Sequence, residues 1–242
     1  VGQGKVMIYY NPESTTKHKY HSQNGYFDFV TPLKDVDSYM LINDINDLQD
    51  IRISLHGKYA LSNDINALET KQWDNGHGFM PLTINEKNIP FSGYFDGNGY
   101  TISNLYISRK GENNVGLFGI VAGQESDYSS VTNLKLKDFD ITGKKFVGTV
   151  SGTSEYAFFS NIEVISTNII GMRAVGGVVG ATKDTLLQYI NLNTVSDGFI
   201  HTDSRYKGLL IGTAKDTEFY ESYASCSDTN SVMNLIGLLV ES

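Results

Sequence analysis

VGLFG (Val115–Gly119), VGTVSG (Val147–Gly152), VGGVVG (Val175–Gly180), KGLLIG (Lys207–Gly212) and LIGLLV (Leu235–Val240) recur down the second half of the chain. Their glycines Gly116, Gly148, Gly176, Gly208 and Gly237 stand 32, 28, 32 and 29 residues apart. A period in that range marks stacked supersecondary units, each of which buries its apolar face only against a neighbour. Working outward, a second segment follows each glycine motif: NLKLKD (Asn133–Asp138), NIEVIS (Asn161–Ser166), YINLNT (Tyr189–Thr194) and SYASCS (Ser222–Ser227). Leu134 and Leu136 alternate with Lys135 and Lys137, and Ile162 and Val164 flank Glu163, the period-two pattern of a strand with one buried face. Ser, Thr, Asn, Asp and Gly fill the joints, as turn chemistry requires. The expected fold is therefore all-β: a right-handed parallel β-helix with about three faces per coil. Its glycines serve as backbone devices where the coil bends or neighbouring backbone comes close. A phosphate cradle would need a strand–glycine loop–helix unit, and no helix follows these motifs.

Composition narrows the function classes. The 242 residues suffice for one solenoid domain, taken here as 1–242. A net charge of −8 with no basic cluster argues against a nucleic-acid or anionic-membrane binder. Cys226 is the only cysteine, so no intrachain disulfide forms. No run reaches the ~18 apolar residues of a membrane span. The chain opens on Val1-Gly2-Gln3-Gly4 without a signal peptide and closes on LIGLLVES where a solenoid needs a polar cap, so a piece of a longer protein is expected. The 15 tyrosines fit outward strand positions and also a contact surface, since tyrosine gives much contact area for little entropy.

The first half departs from the regular period. VMIYY (Val6–Tyr10) reads as a strand, Asn11–Gln23 as a long polar loop, and Phe27–Val30 as a return strand. Ile45, Leu48, Ile51 and Leu55 recur at helical spacing behind Asn43 or Asp44 as N-cap, which predicts one short helix over Asp44–Ser54. Excursion loops are expected at Ala67–Pro90, which holds the sole Trp73 and His77, at Gly123–Ser130, and at His201–Lys207. The DGNG of Asp96–Gly99 is a turn signal between two alternating strands.

LINDINDLQDI, GKYALSNDINA, the following Trp-Gly-Phe-Pro region, FSGYFDGNGYTISNLYISR and NNVGLFG resemble the repeat region of large exoproteins of the filamentous haemagglutinin type, exported by two-partner secretion. The glycine series is also similar to repeats of bacterial surface adhesins and certain secreted proteases. The resemblance covers most of the chain and is densest from Tyr10 to Gly180; it is specific for architecture and weakly specific for activity. It implies a secreted or cell-surface β-helix, an outer-membrane secretion partner for the parent protein, and roles from adhesion to seizing a host haem carrier such as haemopexin. The INEKNIP end of the Ala67–Pro90 stretch is an addition to the common pattern, and such a departure on a regular scaffold is where a specific partner engages.

His18 and His21 share a polar loop with Tyr20; a haem or metal role is conceivable, but solvated loop histidines are the simpler account. His56, His77 and His201 stand alone in sequence. No metal and no cofactor is expected. A polysaccharide-cleaving site would need facing carboxylates, for which Asp138 and Asp140, two apart on one strand and so sharing a face, together with Lys144 and Lys145, are the candidates. Asp44, Asp47 and Asp50 crowd the helix. The resulting expectation is a non-catalytic binding module, not an enzyme, engaging a host protein or cell-surface ligand through Tyr20, Trp73, His77, Phe79, Asn85, Lys87, Asn88 and Tyr128. Haem acquisition and polysaccharide cleavage are the alternatives.

Overall fold

A computed structural model describes residues 6–10, 36–194, 200–201, 206–226 and 236–240. The Asn11–Gln23 loop, the Phe27–Val30 segment, Tyr20, His18 and His21 lie outside the described residues. The described residues form a parallel β-solenoid of about five turns, with a single short α-helix among them. Each regular coil contributes to three parallel sheets. In the best-formed coil, β11 (Asp140–Thr142) and β12 (Lys145–Val147) are short, and β13 (Ser151–Ile165) is long. The next coil repeats this as β14 (Asn168–Ile170), β15 (Ala174–Gly176) and β16 (Val179–Thr194).

The alternation in sequence becomes columns of stacked side chains. Leu134 of β10 (Ser129–Lys137) pairs with Ile162 and then Ile190, and Leu136 with Val164 and then Leu192. All six are buried. A third column runs Tyr59, Phe95, Val131, Phe159, Leu187 and Phe219 through β3 (Lys58–Leu61), β5 (Tyr94–Asp96), β10, β13, β16 and β19 (Ile211–Tyr220). Burying a residue of this size stabilises by about 1.5–3 kcal/mol. No coil keeps that gain without a neighbour above and below.

Gly116, Gly148, Gly176 and Gly208 stand at the corner between the short β8/β12/β15 sheet and the long sheet, β8 being Asn113–Val115. Gly237 instead lies in a strand of the long sheet, where Ile236 and Leu238 pair with Ile211 and Thr213, and so registers with Gly212 and not with Gly208. A Cβ on Gly148 would lie 2.6 Å from the carbonyl oxygens of both Ser151 and Val178, so close approach of the next coil, not a positive φ, excludes a side chain there. The bends themselves are made by other residues. Asn133, Asn161 and Tyr189 occupy registered positions with φ of 52°, 53° and 53°, as do Tyr156, Asp184 and Asp216 with φ of 47°, 45° and 45°. β13 and β16 are thus each kinked twice at the same heights, while β10 is kinked once, at Asn133, and β19 once, at Asp216. Asn161 donates its Nδ2 to Asn133 Oδ1 at 2.9 Å, and Asn133 donates to Asp96 Oδ1 at 3.1 Å, so the left-handed column doubles as an amide ladder.

The helix forms where the apolar spacing predicts it. Helix α1 spans Ile45–Asp50 and continues as a 3-10 turn over Ile51–Ile53. Asp44 caps it, accepting from the backbone of Asn46 at 2.8 Å and Asp47 at 2.9 Å, while Asp47 accepts from the Asn43 N–H at 3.0 Å. Ile45, Leu48, Ile51 and Leu55 all point into the core. The DGNG turn does not fold the chain back. β5 and β6 (Thr101–Ser103) both lie parallel to β10, and Asp96–Gly99 is an outward kink opposite Asn133. The stretch His201–Lys207 also differs from a pure loop: β17 (Ile200–His201) and β18 (Tyr206–Gly208) are strands at its ends, and 202–205 lie outside the described residues.

Asn161→Ala removes a ladder hydrogen bond and leaves alanine at positive φ, and should cost about 2 kcal/mol. Tyr189→Asn, which extends the amide column at a half-exposed site, should stabilise by about 1 kcal/mol. Urea denaturation of the two variants measures both, and a Tyr189→Asn protein less stable than the parent would show that the column does not govern the bend.

Candidate functional site

The Ala67–Pro90 excursion takes the place of a regular pair of short strands. Three 3-10 turns, Leu68–Gln72, Asp74–Gly76 and Asn85–Lys87, give it shape. It is stitched to the following coil by the backbone: Phe79 N–H to Tyr106 O, Leu82 N–H to Leu117 O and Phe91 N–H to Ile120 O, each at 2.9 Å. On its other side the helix segment holds it. The Gln49 amide bonds both the N–H and the carbonyl of Met80 at 2.9 Å, and Arg52 Nε donates to Thr83 O at 3.1 Å. The Ala67–Pro90 loop is therefore clamped between two layers.

A buried cation fixes its tips. Arg109, only 8% exposed, donates to Asp74 Oδ2 at 2.8 Å, Glu112 Oε1 at 2.9 Å, Phe79 O at 3.1 Å and Gly78 O at 3.3 Å. Such charge-assisted bonds to a planar fork are the strong kind. Glu112 passes the connection on, its other oxygen lying 3.5 Å from Asn85 Nδ2, which also donates to Asn113 O at 3.2 Å. The chain Asp74–Arg109–Glu112–Asn85 thereby ties both tips to one turn of the solenoid. Burial, and after it the like charge of Arg109, pushes the Arg52 guanidinium below the usual arginine range, with Glu86 and Glu112 opposing.

The predicted site residues separate into distinct roles. Trp73 is half-buried and stacks on Phe79 with centroids 6.5 Å apart. Phe79 itself is fully buried, which corrects its assignment as a contact anchor: its ring holds the loop and offers no surface. His77 is exposed, with Nδ1 2.7 Å from Asp74 O. Lys87 and Asn88 are exposed at the second tip, Asn88 with φ of 50°. Tyr128 belongs to a different loop, 123–128, which closes through paired Gln124–Asp127 backbone bonds of 2.9 Å. Its ring meets Tyr156 edge-on at 6.0 Å, on a face where Tyr94 bonds Asp127 and Lys183 bonds Glu155. The bond to Glu155 holds the Lys183 ammonium above the usual lysine range. Sequence reasoning passed over Arg109, Glu112, Gln49 and Arg52; an arginine two residues after a buried strand position was the available signal.

The carboxylate pair does not form. Asp138 sits at a bend with φ of 54°, so it and Asp140 no longer share a strand or a face. Asp138 is exposed beside Lys137, and Asp140 accepts from Asn168 Nδ2 at 3.0 Å. Asp44 and Asp47 are taken up in capping the helix. Among the described residues no group of three or more His, Cys, Asp or Glu side chains could hold a metal, and no helix is long and apolar enough to cross a membrane.

Fold and surface together define a parallel β-solenoid bearing one anchored, irregular loop. In comparisons with known proteins, Halomucin of Haloquadratum walsbyi (strain DSM 16790 / HBSQ001) is 37% identical over 161 residues, covering 64% of this chain. The chain spans about 2% of the length of that curated relative. No family model and no solved structure matches.

Arg109→Met should release the excursion while the coils stay stacked, at a cost of about 2–4 kcal/mol because two carboxylates and two carbonyls lose their donor. Trp73 is the only tryptophan, so its emission should shift to the red, and cleavage by trypsin at Lys71 and Lys87 should precede that of the coils.

Proposed function

We propose that this chain is a recognition module of a surface-exposed or secreted protein, which engages a host protein or cell-surface ligand through the Ala67–Pro90 excursion. The observation that carries this reading is the anchoring: every stem of the loop is bonded to helix or coil, while Asp74–His77 and Glu86–Ile89 remain exposed. A loop ordered before it meets its partner binds with less entropic cost. The half-buried Trp73 against Phe79 gives the tip a rigid base, and His77, Lys87 and Asn88 supply polar contacts. Similarity to a relative named for a mucin supports an extracellular setting. The two-partner secretion route and its outer-membrane partner rest on the sequence resemblance, and the non-catalytic reading on the sequence pattern of its carboxylates and histidines.

The test is retention of cells and serum proteins on the immobilised protein, compared with a triple variant, His77→Ala, Lys87→Ala, Asn88→Gly. All three side chains are exposed, so the melting temperature should be unchanged, and retention should fall at least tenfold. Equal retention by the variant would remove the excursion from the binding surface. Selective capture of a haem carrier such as haemopexin, lost in the variant, would identify the haem-acquisition branch.

A further inference from the structure

Where the excursion meets the helix segment, the seam between them carries exposed apolar side chains and one cation. Ile53 is 41% exposed, Met80 36% and Ile89 41%. Side chains reaching across the seam hold these residues in place. The Gln49 amide grips the Met80 backbone through both its N–H and its carbonyl, and Arg52 Nε donates to Thr83 O. Thr83 Oγ1 in turn donates to Ile89 O at 2.6 Å, and Ile89 exchanges backbone bonds with Ile84 at 3.0 and 3.1 Å. Met80 turns its Sδ toward Arg52 Nη1, and Ile53 follows Arg52 in the 3-10 turn. The apolar groups are therefore positioned before any partner arrives, which lowers the ordering cost of contact.

Arg52 gives the seam its second character. The side chain is half-buried, yet its bonds go only to neutral acceptors: Nε to a carbonyl and Nη1 to a thioether. Among the described residues no carboxylate pairs with it, and Nη2 makes no hydrogen bond. Arg109, by contrast, is paired with two carboxylates. The acids near Arg52 are placed elsewhere. Glu112 is engaged by Arg109 and Asn85, and Glu86 stands on the exposed tip without an ion pair among the described residues. A cation taken partly out of water is normally compensated by an anion. Here the open edge of a planar fork is left for a carboxylate from outside.

We infer that this seam is a docking surface for a protein segment that presents a carboxylate beside an apolar side chain. The carboxylate meets Arg52, and the apolar group lies against Met80, Ile53 and Ile89. Arginine and methionine are enriched where protein partners meet, and the thioether adapts to the shape of an apolar neighbour. A polyanion such as nucleic acid would need several cations in a row, whereas the seam has one, with Glu86 close enough to act on its charge. The seam contains none of His77, Lys87 and Asn88, so it and the excursion tips stand or fall separately.

The chain has five methionines, so carbon-13 labelling of their methyl groups gives a local reporter at Met80 and a remote control at the exposed Met172. The protein is titrated with the capped peptides Leu-Glu-Phe, Leu-Gln-Phe and Gly-Glu-Gly. Leu-Glu-Phe should move the Met80 signal to saturation and leave Met172 in place, and the other two should bind about tenfold more weakly. Arg52→Gln should abolish the preference for Leu-Glu-Phe over Leu-Gln-Phe, with unshifted Trp73 emission showing that the excursion is still seated. Ile53→Ser removes an exposed side chain that bonds nothing across the seam; it should weaken both Phe peptides and keep the preference between them. Four results would each overturn the assignment: no response to any peptide, equal binding of Leu-Glu-Phe and Leu-Gln-Phe, a preference that survives Arg52→Gln, or Met172 moving with Met80. A Met80 signal that moves with protein concentration alone would give the seam to a second copy of the chain instead.

Discussion

Every coil of this protein depends on parallel backbone pairing with the coil before and after it. The ladder fixes the height of each side chain, so residues one coil apart in sequence meet directly, as Ser151 meets Phe118 on one side and Val179 on the other. Apolar residues at those positions bury one another, and polar ones form ladders of their own. Local preference alone would not hold such short strands: β11, β12, β14 and β15 have three residues each. Stacking converts them from marginal pieces into a continuous core.

The same pairing makes irregularity safe. A loop inserted at a corner leaves the registers on either side intact, as at 123–128, where β9 (Phe118–Ala122) and β10 still pair with one uninterrupted strand, β13. The larger Ala67–Pro90 insertion departs furthest and is correspondingly the most heavily bonded, with Arg109 as its central bolt. Insertions that fall on corners can therefore carry recognition while the coil itself stays unchanged.

The period, the alternation and the capped helix were all legible in sequence because each is a local pattern repeated: Leu134, Ile162 and Ile190 carry the same message three times. Side-chain direction around the bends was not. Asp138 and Asp140 read as a same-face pair only if the strand is unbroken, and one residue at positive φ resets the alternation. Phe79 reads as a loop aromatic, and only the docking of that loop onto the next coil turns it inward. Arg109 draws its meaning from Asp74, Gly78 and Phe79, distant in sequence and brought to it by a register that no local window contains.

The arrangement of the ladder also has a mechanical side. When the two ends of a parallel solenoid are drawn apart, the hydrogen bonds of the terminal coil meet the load a few at a time, as in a zipper, rather than all at once as in shear. A freed coil of about 30 residues yields roughly 100 Å of extended chain. A molecule anchored at one end and tugged at the other would lengthen in steps of that size, one coil per step. The bonds from Arg109 to Asp74, Gly78 and Phe79 join neighbouring turns, so the step that breaks them would need the greater force.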